Sequence, residues 1–244
     1  MKAHVETFFT RRHEMGQDRL MRIQCICNCL EESAVIHADM LGVGLERMAA
    51  DNLAWVLAKM RLRLYRRPGP GERITVETCP VGIERLHFRR DFVLYDQAGQ
   101  ILATSVTQWV VMGLSSRRVE RLPAHMAALA TEHSPLVDEG GDIRIPRAGK
   151  GQAELFFPVR LADIDQNQHL NHVHYVDFAL EGACLAGKGG LPKRIDLLFR
   201  AEALYGDVIG CLTAKEEGEA HTLIHSLFRQ ADGQELARAR TVHA

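Results

Sequence analysis

The sequence predicts an α+β fold in which one domain occurs twice, each copy wrapping a long helix in a curved antiparallel sheet. Three observations lead to this prediction. Long runs alternate apolar and polar residues with the two-residue period of strands, as in Lys-Met-Arg-Leu-Arg-Leu at 59–64. Two segments carry apolar residues at helical spacing. The order strand, helix, strands repeats after roughly 140 residues, a period that suits a duplicated domain better than a solenoid.

The first half predicts one strand, one helix and a meander of four long strands. The strand covers residues 3–10 and the helix about 28–40. The four strands cover 54–66, 72–82, 86–95 and 100–112, and turns rich in Gly and Pro separate them, as at 68–71 and 96–99. The alternation within these runs indicates a sheet with one face on the helix.

The second half repeats this order. It predicts a strand at 154–159, a helix at 171–186, and strands at 193–202, 207–215, 221–230 and 235–242. Residues 64–76 and 199–211 match in pattern, with Gly71 opposite Gly206. We therefore expect a first domain over 1–128, a linker over 129–152 and a second domain over 153–244 that carries the functional motif.

Composition limits the class of protein. The 244 residues are 46% hydrophobic and carry a net charge of −1, so a real core is expected and neither disorder nor nucleic-acid binding is indicated. No run reaches the roughly 18 apolar residues that a membrane span needs. The sequence predicts a soluble cytoplasmic protein without nucleic-acid or membrane partners.

Six cysteines are present, and three of them alternate at Cys25, Cys27 and Cys29. Alternate cysteines lack the two-residue gap of a zinc knuckle, and no second pair follows. The other three lie in apolar segments, so we expect buried, reduced thiols and no metal.

The segment 163–175, Asp-Ile-Asp-Gln-Asn-Gln-His-Leu-Asn-His-Val-His-Tyr, is the candidate active-site loop. Asp165, Asn167 and His169 are spaced by two, so an extended backbone would point all three side chains to one side. Asn171 is a good N-cap for the following helix.

The start of that helix should also stabilise negative charge that develops in the active site. We expect the backbone N–H groups of Asn171, His172 and Val173 to stabilise an oxyanion. The approximate counterpart in the first half, residues 22–28, carries no such set. One active site per chain is predicted.

Five segments in order make the chain resemble the acyl-acyl-carrier-protein thioesterase family over nearly its full length. They are 163–171 with Tyr175 and Glu181, Phe-Arg-Ala-Glu at 199–202, 52–65 around Trp55, Arg-Arg-Asp-Phe at 89–92, and Thr-Gln-Trp-Val-Val-Met at 107–112. The resemblance implies two tandem hot-dog domains that hydrolyse fatty acyl thioesters of acyl carrier protein.

The resemblance also implies that Asp165, Asn167, His169 and Glu202 form the catalytic network. Many plant members have a cysteine directly after this glutamate, whereas this chain has Ala203. We therefore expect attack by water that Glu202 and His169 orient and deprotonate, with Asn167 holding geometry. Asp165 matches the carboxylate that related single-domain thioesterases use as nucleophile or base, so either Asp165 or Glu202 is the base.

The chemistry is reasonable on physical grounds. A thioester is already activated, and no Gly-x-Ser-x-Gly elbow is present to supply a serine nucleophile. Three alternatives remain open: an acyl-coenzyme A thioesterase, a non-catalytic acyl-thioester-binding protein and a hot-dog dehydratase. None of them needs a cofactor. Two fused domains allow either a monomer or a homodimer.

Overall fold

The structure is a computed structural model that describes residues 3–123, 126, 134–138, 142–149, 153–188 and 190–244. The chain divides into two compact units, Met1–Gly141 and Asp142–Ala244. Of the linker predicted over 129–152, residues 129–133, 139–141 and 150–152 lie outside the described part. The domain limits 1–128 and 153–244 stay predictions.

Unit 1 is an antiparallel sheet with one long helix. Its strands are β1 (His4–Phe9), β2 (Leu53–Leu64), β3 (Arg73–Glu84), β4 (His87–Asp96), β5 (Ile101–Gly113) and β6 (Val119–Glu120), and its helices are α1 (Ile23–Met40) and α2 (Leu45–Ala50). The strand order is β1-β3-β4-β5-β2, with β6 on β5, and α1 packs on β1 and β3.

Unit 2 repeats the arrangement. It contains β7 (Ala153–Pro158), α3 (Val173–Leu185), β8 (Arg194–Phe199), β9 (Val208–Lys215), β10 (Thr222–Arg229) and β11 (Glu235–Val242). The strands run antiparallel in the order β7-β9-β10-β11-β8, and α3 packs on β7, β9, β10 and β11. The predicted α+β class, with one long helix against an antiparallel sheet in each half, is confirmed.

The helices differ from prediction in two places. α1 begins at Ile23, five residues earlier than expected, because Ile23, Ile26 and Leu30 continue the buried helical face. The alternate cysteines hide this period, since a spacing of two is typical of a strand. The six-residue α2 was not predicted. Among the described residues, no helix combines the length and the apolar character that crossing a membrane requires.

Helix α3 approaches its sheet closely at Gly182. A Cβ built on Gly182 would overlap Thr213 Oγ1 and would lie 3.3 Å from both Cys211 Sγ and His225 Nδ1. His225 is fully buried, and its ring nitrogens lie 2.9 Å from Thr213 Oγ1 and 3.0 Å from Thr241 Oγ1. The glycine therefore lets the helix that follows the candidate loop rest on a polar part of the sheet whose hydrogen bonds are satisfied.

Candidate active site

The segment that carries Asp165, Asn167 and His169 is a closed turn. The N–H of Asp165 donates to the carbonyl of His169 (2.9 Å), and the N–H of Gln168 donates to the carbonyl of Asp165 (3.0 Å). Gln168 has a left-handed backbone with φ of +65°. The prediction that an extended backbone points the three side chains to one side is therefore wrong. An aspartate in this position favours a turn because its carboxylate binds nearby backbone N–H groups.

The Asp165 carboxylate holds this turn together. Its Oδ1 accepts the N–H of Asn167 (2.8 Å) and the N–H of His169 (3.2 Å), and its Oδ2 lies 3.5 Å from Asn167 Nδ2. Asp165 is half-buried, while Asn167 is exposed. One oxygen of Asp165 is thus committed to two backbone donors.

The structure brings His169 and Glu202 together, as the resemblance implied. Nε2 of His169 lies 2.7 Å from Oε2 of Glu202, and the two side chains are 31% and 36% exposed. A carboxylate at this distance accepts the Nε2–H, which leaves the lone pair of a neutral imidazole on Nδ1. The pair is open enough to meet solvent or a substrate.

Glu202 does not lie on a strand. The strand predicted over 193–202 ends at Phe199, and the N–H groups of Arg200 and Ala201 both donate to the carbonyl of Leu236 (2.8 and 3.2 Å). Two consecutive donors on one acceptor interrupt the regular ladder, so the chain leaves the sheet before Glu202.

A backbone hydrogen bond joins the two loops next to the pair. The N–H of Leu170 donates to the carbonyl of Ala203 at 2.8 Å. Leu170 follows His169 and Ala203 follows Glu202, so this bond fixes the spacing of the two main chains.

The start of α3 is capped by Asn171, as predicted. Asn171 Oδ1 accepts the N–H of Val173 (3.1 Å), and His172 already has helical angles, φ −57° and ψ −26°. The N–H of Asn171 donates to the carbonyl of Asp163 (2.9 Å). The N–H groups of Asn171 and Val173 are therefore engaged within the loop, which weighs against their predicted role as oxyanion donors.

A buried carboxylate anchors the loop at its other end. Asp163 closes a short 3-10 helix and accepts hydrogen bonds from Arg160 N (2.9 Å), Nε (3.0 Å) and Nη2 (2.6 Å). The guanidinium holds the pKa of Asp163 below its usual range. This anchor was not predicted. Its sequence signal is Arg-x-x-acid, which recurs at Arg11 and Glu14.

Aromatic side chains surround the base of the loop. Tyr175 is buried, which raises the pKa of its hydroxyl, and its ring meets Phe199 edge-on with centroids 5.5 Å apart. Burial also lowers the pKa of His172 to about 4, so this imidazole is neutral near pH 7. His172 therefore adds no positive charge beside the candidate site near pH 7.

Burial disfavours the reactive thiolate at two of the cysteines, whereas Cys184 is exposed, contrary to the expectation of buried thiols. Ala203 is fully buried, and burial raises the pKa of Cys211 to about 12. Cys29 is also buried, with its pKa raised to about 12 by the same cause. In the described part of the chain, no three His, Cys, Asp or Glu side chains are grouped as metal ligands would be.

Unit 1 contains a loop with the same backbone hydrogen-bonding pattern as the candidate loop. The N–H of Gly16 donates to the carbonyl of Leu20 (2.9 Å), and the N–H of Met21 donates to the carbonyl of Pro68 (2.8 Å). Arg19 has φ of +62°, as Gln168 has +65° in unit 2. An isolated bridge pairs residue 15 with 21, and another pairs 164 with 170. The expectation that residues 22–28 are the counterpart is therefore wrong, because the copy lies at 14–22.

The copy has lost the candidate catalytic side chains. Gly16, Asp18, Leu20 and Arg67 stand where unit 2 has Asp165, Asn167, His169 and Glu202, respectively. Arg67 forms an ion pair with Asp18 and donates to the carbonyl of Met21 (3.1 Å). An arginine–aspartate pair thus joins the two loops of unit 1 where His169 and Glu202 meet in unit 2.

A cleft of about 450 Å³ lies in unit 1, outside the candidate site. It is lined by Ile83, Arg85, Leu86, Phe88, Glu120, Arg121 and Leu122. None of the predicted catalytic residues lines it, so this cleft does not define the site.

Both halves match models of one protein family. Residues 1–129 match the acyl-ACP thioesterase N-terminal domain, and residues 148–244 match the acyl-ACP thioesterase C-terminal domain. The chain is 28% identical over 259 residues to a palmitoyl-acyl carrier protein thioesterase of Cuphea hookeriana, covering 97% of this chain but 61% of that protein. It is 26% identical to oleoyl-acyl carrier protein thioesterase 2 of Arabidopsis thaliana, covering 98% of this chain and 76% of that protein.

Solved structures share the fold. The 12:0-ACP thioesterase from Umbellularia californica is similar with a TM-score of 0.84 and 24% identity, over 98% of this chain and 93% of that one. An acyl-ACP thioesterase from Bacteroides thetaiotaomicron is similar with a TM-score of 0.83 and 19% identity, over 98% and 97%. The predicted fold of two tandem hot-dog domains is confirmed. With matching models in both halves, the chain belongs to the acyl-ACP thioesterase family.

Proposed function

We propose that this chain hydrolyses fatty acyl thioesters of acyl carrier protein to free fatty acid and the carrier's thiol, using water activated by a general base. The observation that carries the proposal is the 2.7 Å contact between His169 Nε2 and Glu202 Oε2. Family membership and the names of the relatives support the choice of a carrier-protein thioester.

The pair acts as a base in the following way. Glu202 accepts the Nε2–H of His169 and orients the ring, and Nδ1 takes a proton from water. The hydroxide attacks the thioester carbonyl carbon and forms a tetrahedral oxyanion. Collapse of this intermediate breaks the C–S bond, and the proton held by His169 passes to the leaving sulfur. General-base catalysis of this kind typically contributes about 100- to 10,000-fold.

The remaining candidates take supporting roles. Asp165 binds backbone N–H groups through Oδ1, which favours a positioning role over a role as nucleophile. The exposed amide of Asn167 contacts water or the thioester at the tip of the turn. The backbone N–H of His172 at the start of α3 is the proposed oxyanion donor, because a helix N-terminus carries a partial positive charge that suits a developing oxyanion.

Acyl carrier protein is the proposed partner, as the bearer of the substrate. A monomer or homodimer and a cytoplasmic location remain predictions of the sequence.

The test is hydrolysis of a panel of acyl-carrier-protein and acyl-coenzyme A thioesters of short to long chain. We expect turnover of the carrier-protein thioesters that falls at least about 100-fold in His169→Ala and in Glu202→Gln. Leu20→Ala and Arg67→Gln change the equivalent positions of unit 1 and serve as matched controls that keep turnover. Preference for coenzyme A would replace the proposed substrate, and binding without hydrolysis would leave an acyl-thioester-binding protein.

A further inference from the structure

Arg229, the last residue of β10, contacts three segments around Glu202. Its Nη2 donates to the backbone carbonyl of Glu202 (2.9 Å), and its Nε donates to Asp207 Oδ2 (3.1 Å). Its Nη1 donates to Asp232 Oδ2 (2.9 Å) and to Gln234 Oε1 (3.0 Å) in the β10–β11 turn. One guanidinium thus ties the Glu202 loop to the start of β9 and to a hairpin.

The Glu202 loop is fixed from both sides. Asp207 Oδ2 accepts a hydrogen bond from Arg229 and also accepts the N–H of Leu204 (2.9 Å). On the other side of Glu202, the carbonyl of Ala203 receives the N–H of Leu170 (2.8 Å). The carbonyls of two consecutive residues are therefore held, one by Arg229 and the next by the loop that carries His169.

The contact between Arg229 and Asp207 restricts the motion of both side chains. Arg229 and Asp207 are 20% and 21% exposed, so the ion pair is mostly shielded from water. A guanidinium offers its donors in a planar fork, and the four contacts of Arg229 use three different nitrogens. Lysine cannot reproduce this set, because it presents one nitrogen.

Unit 1 has a related clamp in which the arginine lies in the loop instead of at the end of the strand. Arg66, in the loop after β2, donates to both oxygens of Glu72 (3.1 and 3.0 Å) and to Asp96 Oδ2 (3.1 Å). Asp96 ends β4 as Arg229 ends β10, and each donates its N–H across the following hairpin, to Gln100 and to Gln234. The unit 1 clamp therefore holds an equivalent loop that carries no catalytic candidate.

We propose that Arg229 is a positioning residue for the thioesterase reaction. By holding the main chain of Glu202, it places the Glu202 carboxylate against His169 Nε2 without touching the substrate. The inference rests on the function proposed above, since only a working His169–Glu202 pair makes the position of Glu202 matter to turnover.

The test compares Arg229→Gln and Arg229→Lys with the matched control Arg66→Gln, measuring kcat, KM and Tm for each. We expect kcat to fall about 10- to 100-fold in both Arg229 variants with KM little changed, because a displacement of the base costs rate more than binding. Arg66→Gln should keep kcat, and it should lower Tm less than the Arg229 variants because the Arg66 side chain is 46% exposed. Arg229→Lys retains the charge, so it keeps the test valid where Arg229→Gln folds poorly.

Two results would overturn the inference: wild-type kcat in folded Arg229→Lys, or an equal loss of kcat in Arg66→Gln. A readout independent of turnover is the ¹⁵N–¹H signal of the His169 imidazole in labelled protein. We expect Arg229→Lys to change it and Arg66→Gln to leave it as in wild type, and an unchanged signal in Arg229→Lys would reject the positioning role. Absence of hydrolysis by the wild type would instead reject the proposed function. The imidazole signal of His169 would then still test whether Arg229 positions Glu202.

Discussion

The backbone N–H of Leu170 donates to the carbonyl of Ala203 at 2.8 Å, although the two residues are far apart in sequence. Each directly follows one member of the His169–Glu202 pair. This bond gives the pair a fixed frame, in which His169 comes from the loop before α3 and Glu202 from the loop after β8. Because the proposed base is a single contact between two side chains, His169 and Glu202 should behave as a unit.

The first prediction is non-additivity. His169→Ala and Glu202→Gln should each lower kcat by about 100- to 10,000-fold, and the double variant should lose little more than the worse single variant. The measurement is a double-mutant cycle on kcat with a carrier-protein thioester. Additive losses would mean that the two residues act in separate steps.

The second prediction concerns Asp165. Asparagine keeps an Oδ1 that can accept the N–H groups of residues 167 and 169, whereas alanine removes it. We expect Asp165→Asn to keep most of kcat and Asp165→Ala to lose about 10- to 100-fold through displacement of His169. Steady-state kinetics of both variants decide the matter. An Asp165→Asn enzyme as inactive as Asp165→Ala would show that the carboxylate itself is nucleophile or base.

The third prediction concerns Gly182. A methyl group there overlaps Thr213 Oγ1, so Gly182→Ala should lower the free energy of unfolding by about 1–3 kcal/mol. Urea unfolding checks this, with Cys184→Ala as a control because Cys184 is exposed on the same helix. A Gly182→Ala protein as stable as wild type would show that α3 can shift away from the sheet at little cost.

The fourth prediction is a dependence of stability on pH through His225. Burial, with a smaller contribution from His243, lowers the pKa of His225 from 6.5 to about 3. The unfolded chain therefore takes up this proton from about pH 6.5 downward, while the folded protein resists it until about pH 3. Stability due to His225 is complete above pH 6.5 and is lost as the pH falls through this window.

His225→Gln isolates this effect. The unfolding free energy of the wild type minus that of the variant should decrease as the pH is lowered from 6.5 toward 4, whatever its value at neutral pH. Urea unfolding at several pH values measures it. A constant difference would mean that His225 does not titrate differently in the two states.

The fold was largely predictable because its strands alternate cleanly and its order repeats. The conformation of the candidate loop was not predicted, because it depends on hydrogen bonds between a side chain and the nearby backbone. The spacing of Asp165, Asn167 and His169 suits a strand, but the Asp165 carboxylate binds two backbone N–H groups and turns the chain. The copy of the loop at 14–22 escaped detection because its side chains were replaced while its backbone bonds remained.

The residues outside the candidate loop that contribute to the candidate site were predictable only in part. The resemblance implied Glu202 as a candidate. Its position off the strand depends on the bend at Arg200 and Ala201, where both N–H groups donate to the carbonyl of Leu236. No sequence pattern around Arg229 indicates its proposed role, because that role depends on tertiary contacts with Glu202 and Asp207. Such contacts between distant segments are not encoded in spacing or periodicity.

The most direct test of the central claim is a single turnover of an acyl-carrier-protein thioester in ¹⁸O-labelled water, followed by mass spectrometry of the fatty acid and of the protein. Direct attack of activated water predicts one ¹⁸O atom in the fatty acid and none in the protein. An unlabelled fatty acid with ¹⁸O in the peptide that carries Asp165 or Glu202 would reveal a covalent acyl intermediate and contradict the account.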